Sequence, residues 1–492
     1  MPAAWPHLLR GSTDFGYESV EQVSAGGRKL PQPRAKMLGG CSSHNAMLYR
    51  RPSPAEIAEW PGWSWDKLKS YFLKAEHFTP DPKHANVNVA EHGSGGPMTT
   101  GYSYSTPLSQ AVLSTAAQLG IPQVSSLNSE STPIGGELVQ TTISASGRRC
   151  STATAYLSRP VLKRENLHVL INTRVVKLLW DDHAKSRVIG VELQQTQGGP
   201  RFVAHAKKEV VICMGAVGSP QILMLSGIGP APQLAHHGIT LRHELPVGAM
   251  LKDHALAPVV FRTQPGTSLQ YLGNPLKSLP SLLQWLVLGK GPCSSSGGEA
   301  MMAIQTQSGP IPNLALLVGP GYILHNFEGK PPVANADYLT IAASPVRPTS
   351  TGSLALKSSD AWDAPIIDPR YLETAADKAV MVEGIRLIQR LAETEPLRSM
   401  IMASVSPTGI ASFSEDAARL SYASSVLQSF YHPASTCPIG SVVDEELKVL
   451  GVHGLRVCDA SVFPDIIAGP PAATVVAFAE RTADLIKRSH LH

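Results

Sequence analysis

The sequence predicts an α/β fold in which one lobe is assembled from three separated pieces of the chain and is interrupted by a second lobe. Three observations predict this. An apolar run at 210–214 enters a helix through a glycine-rich turn, and residues 430–492 return to a strand, a turn and a helix. Between them, residues 256–429 mix strand-like segments with helical ones, which indicates antiparallel strands plus helices.

The composition bounds the function classes. The chain has 492 residues, of which 43% are hydrophobic and 16% charged, as is typical of a soluble protein of about two or three domains. The net charge is +4 and the basic residues are scattered, so nucleic acid is not an expected partner. No apolar stretch reaches about 18 residues, so no membrane span is predicted.

Cysteine and histidine spacing argues against several kinds of site. None of the six cysteines lies in a C-x-x-C pair, and the 17 histidines show no H-E-x-x-H spacing, so neither a metal site nor a disulfide scaffold is expected. The absence of a G-x-S-x-G elbow disfavours a hydrolase. Residues 1–16 lack the pattern of a signal peptide, and reduced cysteines weakly favour a cytoplasmic location.

Several elements can be placed individually. An amphipathic helix is predicted near 65–76, strands between 166 and 214, and helices at 376–392 and 472–488. The run at 210–214 is apolar on both faces, as a buried parallel strand would be.

The helix after this run is predicted to begin at Ser219, which is a suitable N-cap, followed by Pro220 as a suitable first helical residue. Gly227 and Gly229 are predicted to end it. A strand–turn–helix of this kind lets backbone amides approach a ligand. The turn alone is equally typical of an α/β protein with no ligand there.

The run at 215–230, G-A-V-G-S-P-Q-I-L-M-L-S-G-I-G-P, resembles the second signature of the glucose–methanol–choline (GMC) oxidoreductases, a family of FAD-dependent enzymes. The loop L-G-G-C-S-S-H-N-A-M at 38–47 resembles the segment that lies over the flavin in that family. Further segments follow in the family's order, at 151–157, 172–175, 251–254, 431–433 and 455–461. The chain is identified as a member of this family over essentially its whole length.

The resemblance implies FAD as the cofactor and an FAD-binding Rossmann-like domain at 1–60, 140–255 and 430–492. A substrate-binding domain of antiparallel sheet plus helices would occupy 61–139 and 256–429. The helix after Pro471 would direct its positive N-terminus at the flavin. The residues that the resemblance assigns to the flavin are Gly39, Gly40, Ser42, Asn45, Met47, Val175, Gly215, Ala216, Ser219, Asp459, Ala460 and Pro471.

His432 matches the catalytic histidine of the family. An imidazole accepts a proton near neutral pH, so it suits removal of the hydroxyl proton of an alcohol, while the resemblance implies hydride transfer to flavin N5. The alternative is a structural histidine beside Pro433. His254, which follows Asp253 in what resembles a structural turn, is interpreted as a packing residue.

Two departures from the family pattern matter for function. No G-x-G-x-x-G motif occurs, although the N-terminal βαβ unit of such proteins uses it to bind the pyrophosphate. The predicted FAD domain is therefore incomplete, either because the chain is N-terminally truncated, which we favour, or because it is a relict. The second catalytic His or Asn falls on Pro470, whose side chain has no donor or acceptor.

The leading hypothesis is FAD-dependent oxidation of a small-molecule alcohol to the carbonyl, with His432 as the base. The alternatives are a lyase or cyclase in which His432 does acid–base work without net redox change, and an inactive truncated relict. The sequence does not identify the substrate, distinguish an oxidase from a dehydrogenase, or indicate the oligomeric state.

Overall fold

The computed structural model describes residues 1–131, 133–184, 186–307, 309–324, 327, 329–409 and 413–491. Its strands are, in chain order, β1 (Tyr17–Glu18), β2 (Pro31–Gln32), β3 (Glu76–Thr79), β4 (Met98–Tyr102), β5 (Gly135–Leu138), β6 (Gln140–Thr141), β7 (Arg174–Trp180), β8 (Val188–Gln194), β9 (Arg201–His205), β10 (Val210–Ile212), β11 (Ala255–Thr263), β12 (Ala300–Ile304), β13 (Leu314–Gly319), β14 (Asp337–Pro345), β15 (Ser353–Ala355), β16 (Ile366–Asp368), β17 (Ile401–Ser406), β18 (Gln428–Ser429) and β19 (Leu455–Val457). Its α-helices are α1 (Trp65–Ala75), α2 (Pro107–Gln118), α3 (Thr152–Tyr156), α4 (Arg159–Leu162), α5 (Gly215–Leu225), α6 (Ala231–His236), α7 (Pro275–Leu288), α8 (Ala375–Glu393), α9 (Leu397–Met400), α10 (Asp416–Val426) and α11 (Ala472–Ser489).

The largest sheet is antiparallel, with strand order β17-β11-β14-β13-β12-β5 and β18 also paired with β11. Helix α8 packs on this sheet, because its apolar stripe, including Met381, Ile385 and Ile388, shares one core with Leu339 and Ile341 of β14. The antiparallel strands and helices predicted for the middle of the chain are confirmed.

A second core surrounds the parallel pair β10 and β19, in which Ile212 lies opposite Val457. The antiparallel sheet β7-β8-β9 contributes Leu178 to this core, and helices α5 and α11 contribute Leu223 and Phe478. The strand near 455–457 and the helix predicted at 472–488 are therefore both present, the latter as α11.

The predicted strand at 210–214 is wrong in its extent and its burial. It spans Val210–Ile212 and has one strand neighbour, β19, among the described residues. Because burial on both faces of a parallel sheet requires cover on each side, Val211 and Met214 are instead partly exposed. The strands predicted between 166 and 214 begin only at Arg174, since Leu170 and Ile171 lie in an exposed irregular segment.

The predicted start of the following helix is also wrong. Helix α5 begins at Gly215, so Pro220 lies inside it. A proline leaves the carbonyl four residues earlier without its helical donor. That carbonyl belongs to Ala216, and it accepts a hydrogen bond of 2.8 Å from Thr436 Oγ1. The helix therefore tolerates its interior proline.

All six cysteines are free thiols. Among the described residues, no helix is both long and apolar enough to cross a membrane. In the same part of the chain, no group of three or more His, Cys, Asp or Glu side chains is arranged to hold a metal ion.

Candidate active site

A cavity of about 2390 Å³ lies between the antiparallel sheet and the segments that directly follow β10 and β19, and residues from both sides line it. All the residues assigned to the flavin line it except Ser219, and His432 and Pro470 line it as well. Sites for drug-sized ligands have volumes of roughly 300–1,000 Å³. This cavity therefore has room for a dinucleotide cofactor together with a small substrate.

The loop that contains Gly39, Gly40 and Ser42 is folded by its own polar side chains. Gly39 has a φ of +85°, which favours glycine. Ser42 Oγ donates to the Gly39 carbonyl at 2.6 Å and accepts from the Thr152 amide at 2.9 Å. Ser42 thus holds the loop closed, and any contact of its side chain with a flavin stays a prediction.

The end of this loop is fixed by Asn45. Its Oδ1 accepts from the Met47 amide and from Arg149 Nη1, both at 2.9 Å. Met47 is fully buried with a φ of 61°, so it joins the cavity wall through a strained turn. The side-chain oxygen of Asn45 is therefore already used within the protein.

Asp459 joins the end of β19 to the start of α5. Its Oδ2 accepts from the Gly215 amide at 2.9 Å and from Ser219 Oγ at 2.5 Å, while its Oδ1 accepts from the Ser461 amide at 2.8 Å. These bonds satisfy the first backbone amide of α5 and hold Gly215 and Ala216 at the cavity wall. Ser219 is fully buried and lies behind the wall, so the structure gives it a positioning contact and no access to the cavity.

The start of α11 faces the same cavity. Pro471 is the N-cap, and no side chain caps the first turn. The approach to it is held in place because the Ala468 amide donates to Glu56 Oε2 at 2.7 Å and Gly469 lies against Arg50. An uncapped N-terminus at a cavity wall provides amide donors and positive potential for an anionic group.

His432 is anchored to the segment that precedes β11. Its backbone amide donates to Asp253 Oδ1 at 2.8 Å, and Asp253 Oδ2 accepts from Ser429 Oγ at 2.6 Å and from the Tyr371 hydroxyl. The imidazole of His432 lies 2.9 Å from His254, measured from Nδ1 to Nδ1. The prediction that His254 only packs is therefore wrong, because it contacts the ring of His432 directly.

The partners of His254 determine which nitrogen of each ring carries the proton. His254 Nε2 lies 3.0 Å from the Val346 carbonyl, which can only accept, so this nitrogen donates. Its Nδ1 is then an acceptor and receives the proton of His432 Nδ1. In neutral His432 this leaves Nε2 unprotonated, with no partner among the described residues, in a side chain that lines the cavity.

Burial keeps both rings neutral. It lowers the pKa of His254 to about 4, although the hydrogen bond to Val346 acts in the opposite direction. Burial also lowers the pKa of His432 well below its usual range, and the neighbouring His254 and the Arg34 guanidinium lower it further. His432 is therefore in its base form at neutral pH.

Sequence reasoning missed Asp253, His254 and Arg34. Arg34 Nη2 donates to the Tyr431 carbonyl at 2.6 Å, which places a cation beside His432. The signal that could have indicated the first two is an Asp-His pair directly before an apolar strand, because buried ionisable residues require partners. Arg34 carries no such signal.

The residues present fit FAD. Gly40 and Gly215 have positive φ angles, and a Cβ built on either would meet no atom within 4 Å, so the backbone leaves open space at the cavity. The uncapped first turn of α11 provides amides for an anionic group. When bound, FAD supplies the redox chemistry.

Comparison with known proteins decides the family. Models of the N- and C-terminal parts of the GMC oxidoreductases match residues 17–256 and 348–479. The chain belongs to the GMC oxidoreductases. It is accordingly an FAD-dependent oxidoreductase, which confirms the family, the cofactor and the fold class predicted from its motifs.

Relatives within the GMC family cover nearly all of this chain. It is 35% identical to Dehydrogenase str4 of Strobilurus tenacellus, over 99% of this chain and 87% of that protein. It is 31% identical to the mitochondrial choline dehydrogenase of Mus musculus, over 99% of this chain and 81% of that protein. The solved pyridoxine 4-oxidase from Mesorbium loti is 27% identical and superposes with a TM-score of 0.85, over 100% of this chain and 91% of that one.

Proposed function

We propose that this GMC oxidoreductase oxidises the hydroxyl group of a small-molecule alcohol to a carbonyl, with His432 as the base. The observation that carries the proposal is that His432 lines the cavity with its Nδ1 held by the chain from Val346 through His254, which leaves Nε2 as the free nitrogen of the ring. A general base must present a free lone pair to the proton that it removes. Here the tautomer is set before any substrate binds.

The substrate loses two hydrogens, one as a proton from its hydroxyl group and one as a hydride from the adjoining carbon. The hydroxyl proton passes to His432 Nε2, and the C–H bond of the same carbon breaks with its electron pair as the C=O double bond forms. FAD, when bound, would supply the acceptor for that hydride, and the family resemblance implies flavin N5 for this role. The low pKa of His432 keeps the ring unprotonated before the reaction and favours release of the proton afterwards.

The flavin site that we propose consists of the 39–47 loop, Val175, the start of α5, the turn at Asp459 and Ala460, and the start of α11 after Pro471. The division into FAD-binding and substrate-binding domains, with the boundaries given above, is part of the same proposal. The relatives named above are dehydrogenases and an oxidase, which favours net redox chemistry over the lyase, cyclase or relict alternatives.

The test begins with the visible absorption spectrum of the purified protein before and after addition of FAD. His432→Ala is then compared with wild type on a panel of alcohols with an artificial electron acceptor. We expect the flavin content to be unchanged and turnover to fall by about 10²–10⁴-fold, the usual contribution of a general base. Exposed His205 on β9 provides the matched control, since His205→Ala should leave both quantities unchanged.

Two outcomes would count against the proposal, and they differ in meaning. Turnover by His432→Ala within a few-fold of wild type would show that another group is the base. A wild-type protein that stays colourless with added FAD would show that this chain, by itself, does not assemble the flavin site.

A further inference from the structure

Helix α7 presents an apolar face to solvent. Ser281 is the only residue of this helix that is buried, whereas Leu276, Leu279, Leu283, Leu286 and Val287 are between 50% and 86% exposed. Their spacing of three or four residues places them along one side of the helix, which we call the α7 stripe. Scattered surface leucines require no explanation, but a contiguous stripe of this kind marks an interaction surface.

The helix is held firmly on its opposite side. Ser281 Oγ is 2.8 Å from the Tyr271 hydroxyl, and Trp285 Nε1 donates to the Gly147 carbonyl at 2.7 Å. Gly147 and Gly289 approach so closely that a Cβ on Gly147 would lie 2.1 Å from the Gly289 carbonyl oxygen. The outward position of the α7 stripe is therefore fixed by the fold and does not arise from a loosely packed helix.

The charged side chains of the chain segment that contains α7 are all basic. Residues 254–298 contain no Asp or Glu, and Lys277 and Lys290 lie near the two ends of α7. Arg148, which is exposed, follows Gly147 and adds a third cation beside the C-terminal end of the helix. A symmetric contact between two copies would bring these cations face to face, so the charge pattern disfavours a second copy as the occupant.

We propose that α7 docks this protein onto the surface of an anionic membrane, with the α7 stripe among the acyl chains and the lysines and Arg148 at the headgroups. Apolar residues on one face with cations beside them are the pattern of a helix that lies in the plane of a bilayer interface. Fourteen residues extend over only about 21 Å, less than the ~30 Å of a bilayer core. The helix therefore lies on the membrane and does not span it.

The position of α7 connects this surface with the cavity. Leu269, Gln270, Leu272 and Gly273, which come directly before α7 in the chain, all line the cavity. Docking through the stripe would bring this edge of the cavity to the bilayer surface. An apolar molecule dissolved in the membrane would then reach the cavity without crossing water.

The experiment is flotation of the flavin-loaded protein with vesicles of phosphatidylcholine, with or without phosphatidylglycerol. We expect wild type to float with the anionic vesicles and to be released by salt. Leu279→Gln together with Leu283→Gln should weaken binding at least about tenfold, because both side chains leave the acyl region. Lys277→Glu together with Lys290→Glu should weaken binding to anionic vesicles only.

The matched control is Val23→Gln, since Val23 is 94% exposed and lies outside α7. This variant should float like wild type, and all variants should keep the wild-type flavin content and melting temperature because the changed side chains are exposed. Failure of wild type to float, or equal flotation of the Leu279/Leu283 variant, would overturn the proposal. A lipid-free dimer that this variant converts to a monomer would also overturn it and would identify the stripe as a contact between copies.

Discussion

His254 should control the rate through the tautomer of His432. Replacing His254 by Leu removes the Nδ1 atom that accepts the proton of His432 Nδ1 at 2.9 Å. A buried hydrogen bond of this kind contributes about 1–1.5 kcal/mol, and 1.4 kcal/mol corresponds to a factor of about ten in an equilibrium. The equilibrium constant between the two tautomers of His432 should therefore shift about tenfold toward the form whose Nε2 is protonated. We expect kcat to fall by up to that factor, with little change in KM.

The pH dependence distinguishes this role from a merely structural one. His254 lowers the pKa of His432, so its removal should move the acidic limb of the kcat/KM profile to higher pH. His254→Asn should restore most of the rate, because its amide oxygen can accept the proton of His432 Nδ1. The assay is steady-state turnover of an alcohol with an artificial acceptor across pH, for wild type and both variants at equal flavin content.

One result would refute the reasoning. If His254→Leu lowered the melting temperature but left kcat and the acidic limb unchanged, His254 would support the fold only, and the tautomer of His432 would be set by something else.

Three further predictions follow from neighbouring observations. Below about pH 6.5 the unfolded chain protonates His254, whereas the folded protein does so only near pH 4, so this residue's contribution to stability is lost as the pH falls between these values. The loss expected from His254 alone is about 2 kcal/mol between about pH 7 and pH 5, to be measured by urea unfolding as the difference between wild type and His254→Asn, since His432 has a lowered pKa as well; losses of equal size in the two proteins would contradict it. The Cys213 thiol is exposed at the cavity wall beside Gly215, and the neighbouring Cys458 thiol raises its pKa, so alkylation followed by mass spectrometry should be slow and should slow several-fold more when FAD is bound. No protection by FAD would place the cofactor elsewhere. Pro470→Asn should raise kcat/KM by up to about tenfold, because an amide at the cavity wall can orient a substrate hydroxyl, whereas an unchanged value would show that this position does not contact the substrate.

The parts of the site that could be predicted from sequence are those encoded by local chain geometry. The glycine turn at 215, the turn at Asp459 and the start of α11 follow from short patterns, and the fold brings all three to one cavity. The errors arose where distant residues decide the outcome. Pro220 is tolerated inside α5 because the Ala216 carbonyl accepts a hydrogen bond from Thr436, which lies 220 positions after Ala216. No local pattern contains that information.

The role of His254 was missed for the same reason. An Asp-His pair at the end of a turn is compatible with packing, and only the fold shows that His432, 178 positions later, shares its proton with this ring. Exposure was misjudged along β10 because an apolar run does not reveal how many strands will flank it. The number of neighbours is a property of the sheet and not of the strand.

The contacts of His432 show that one short segment of the chain holds this residue in place. Asp253 fixes its backbone, His254 fixes its ring, and both precede β11 directly, so the proposed base is held by a single segment. Pro470, at the cavity wall, provides no side-chain donor or acceptor that could form a hydrogen bond with a substrate hydroxyl. In the proposed reaction, positioning of the alcohol must then depend largely on the shape of the walls, where Leu317, Ile323 and other apolar side chains predominate. Such walls select substrates by apolar surface, which is also the property that would concentrate them in a membrane at the α7 stripe.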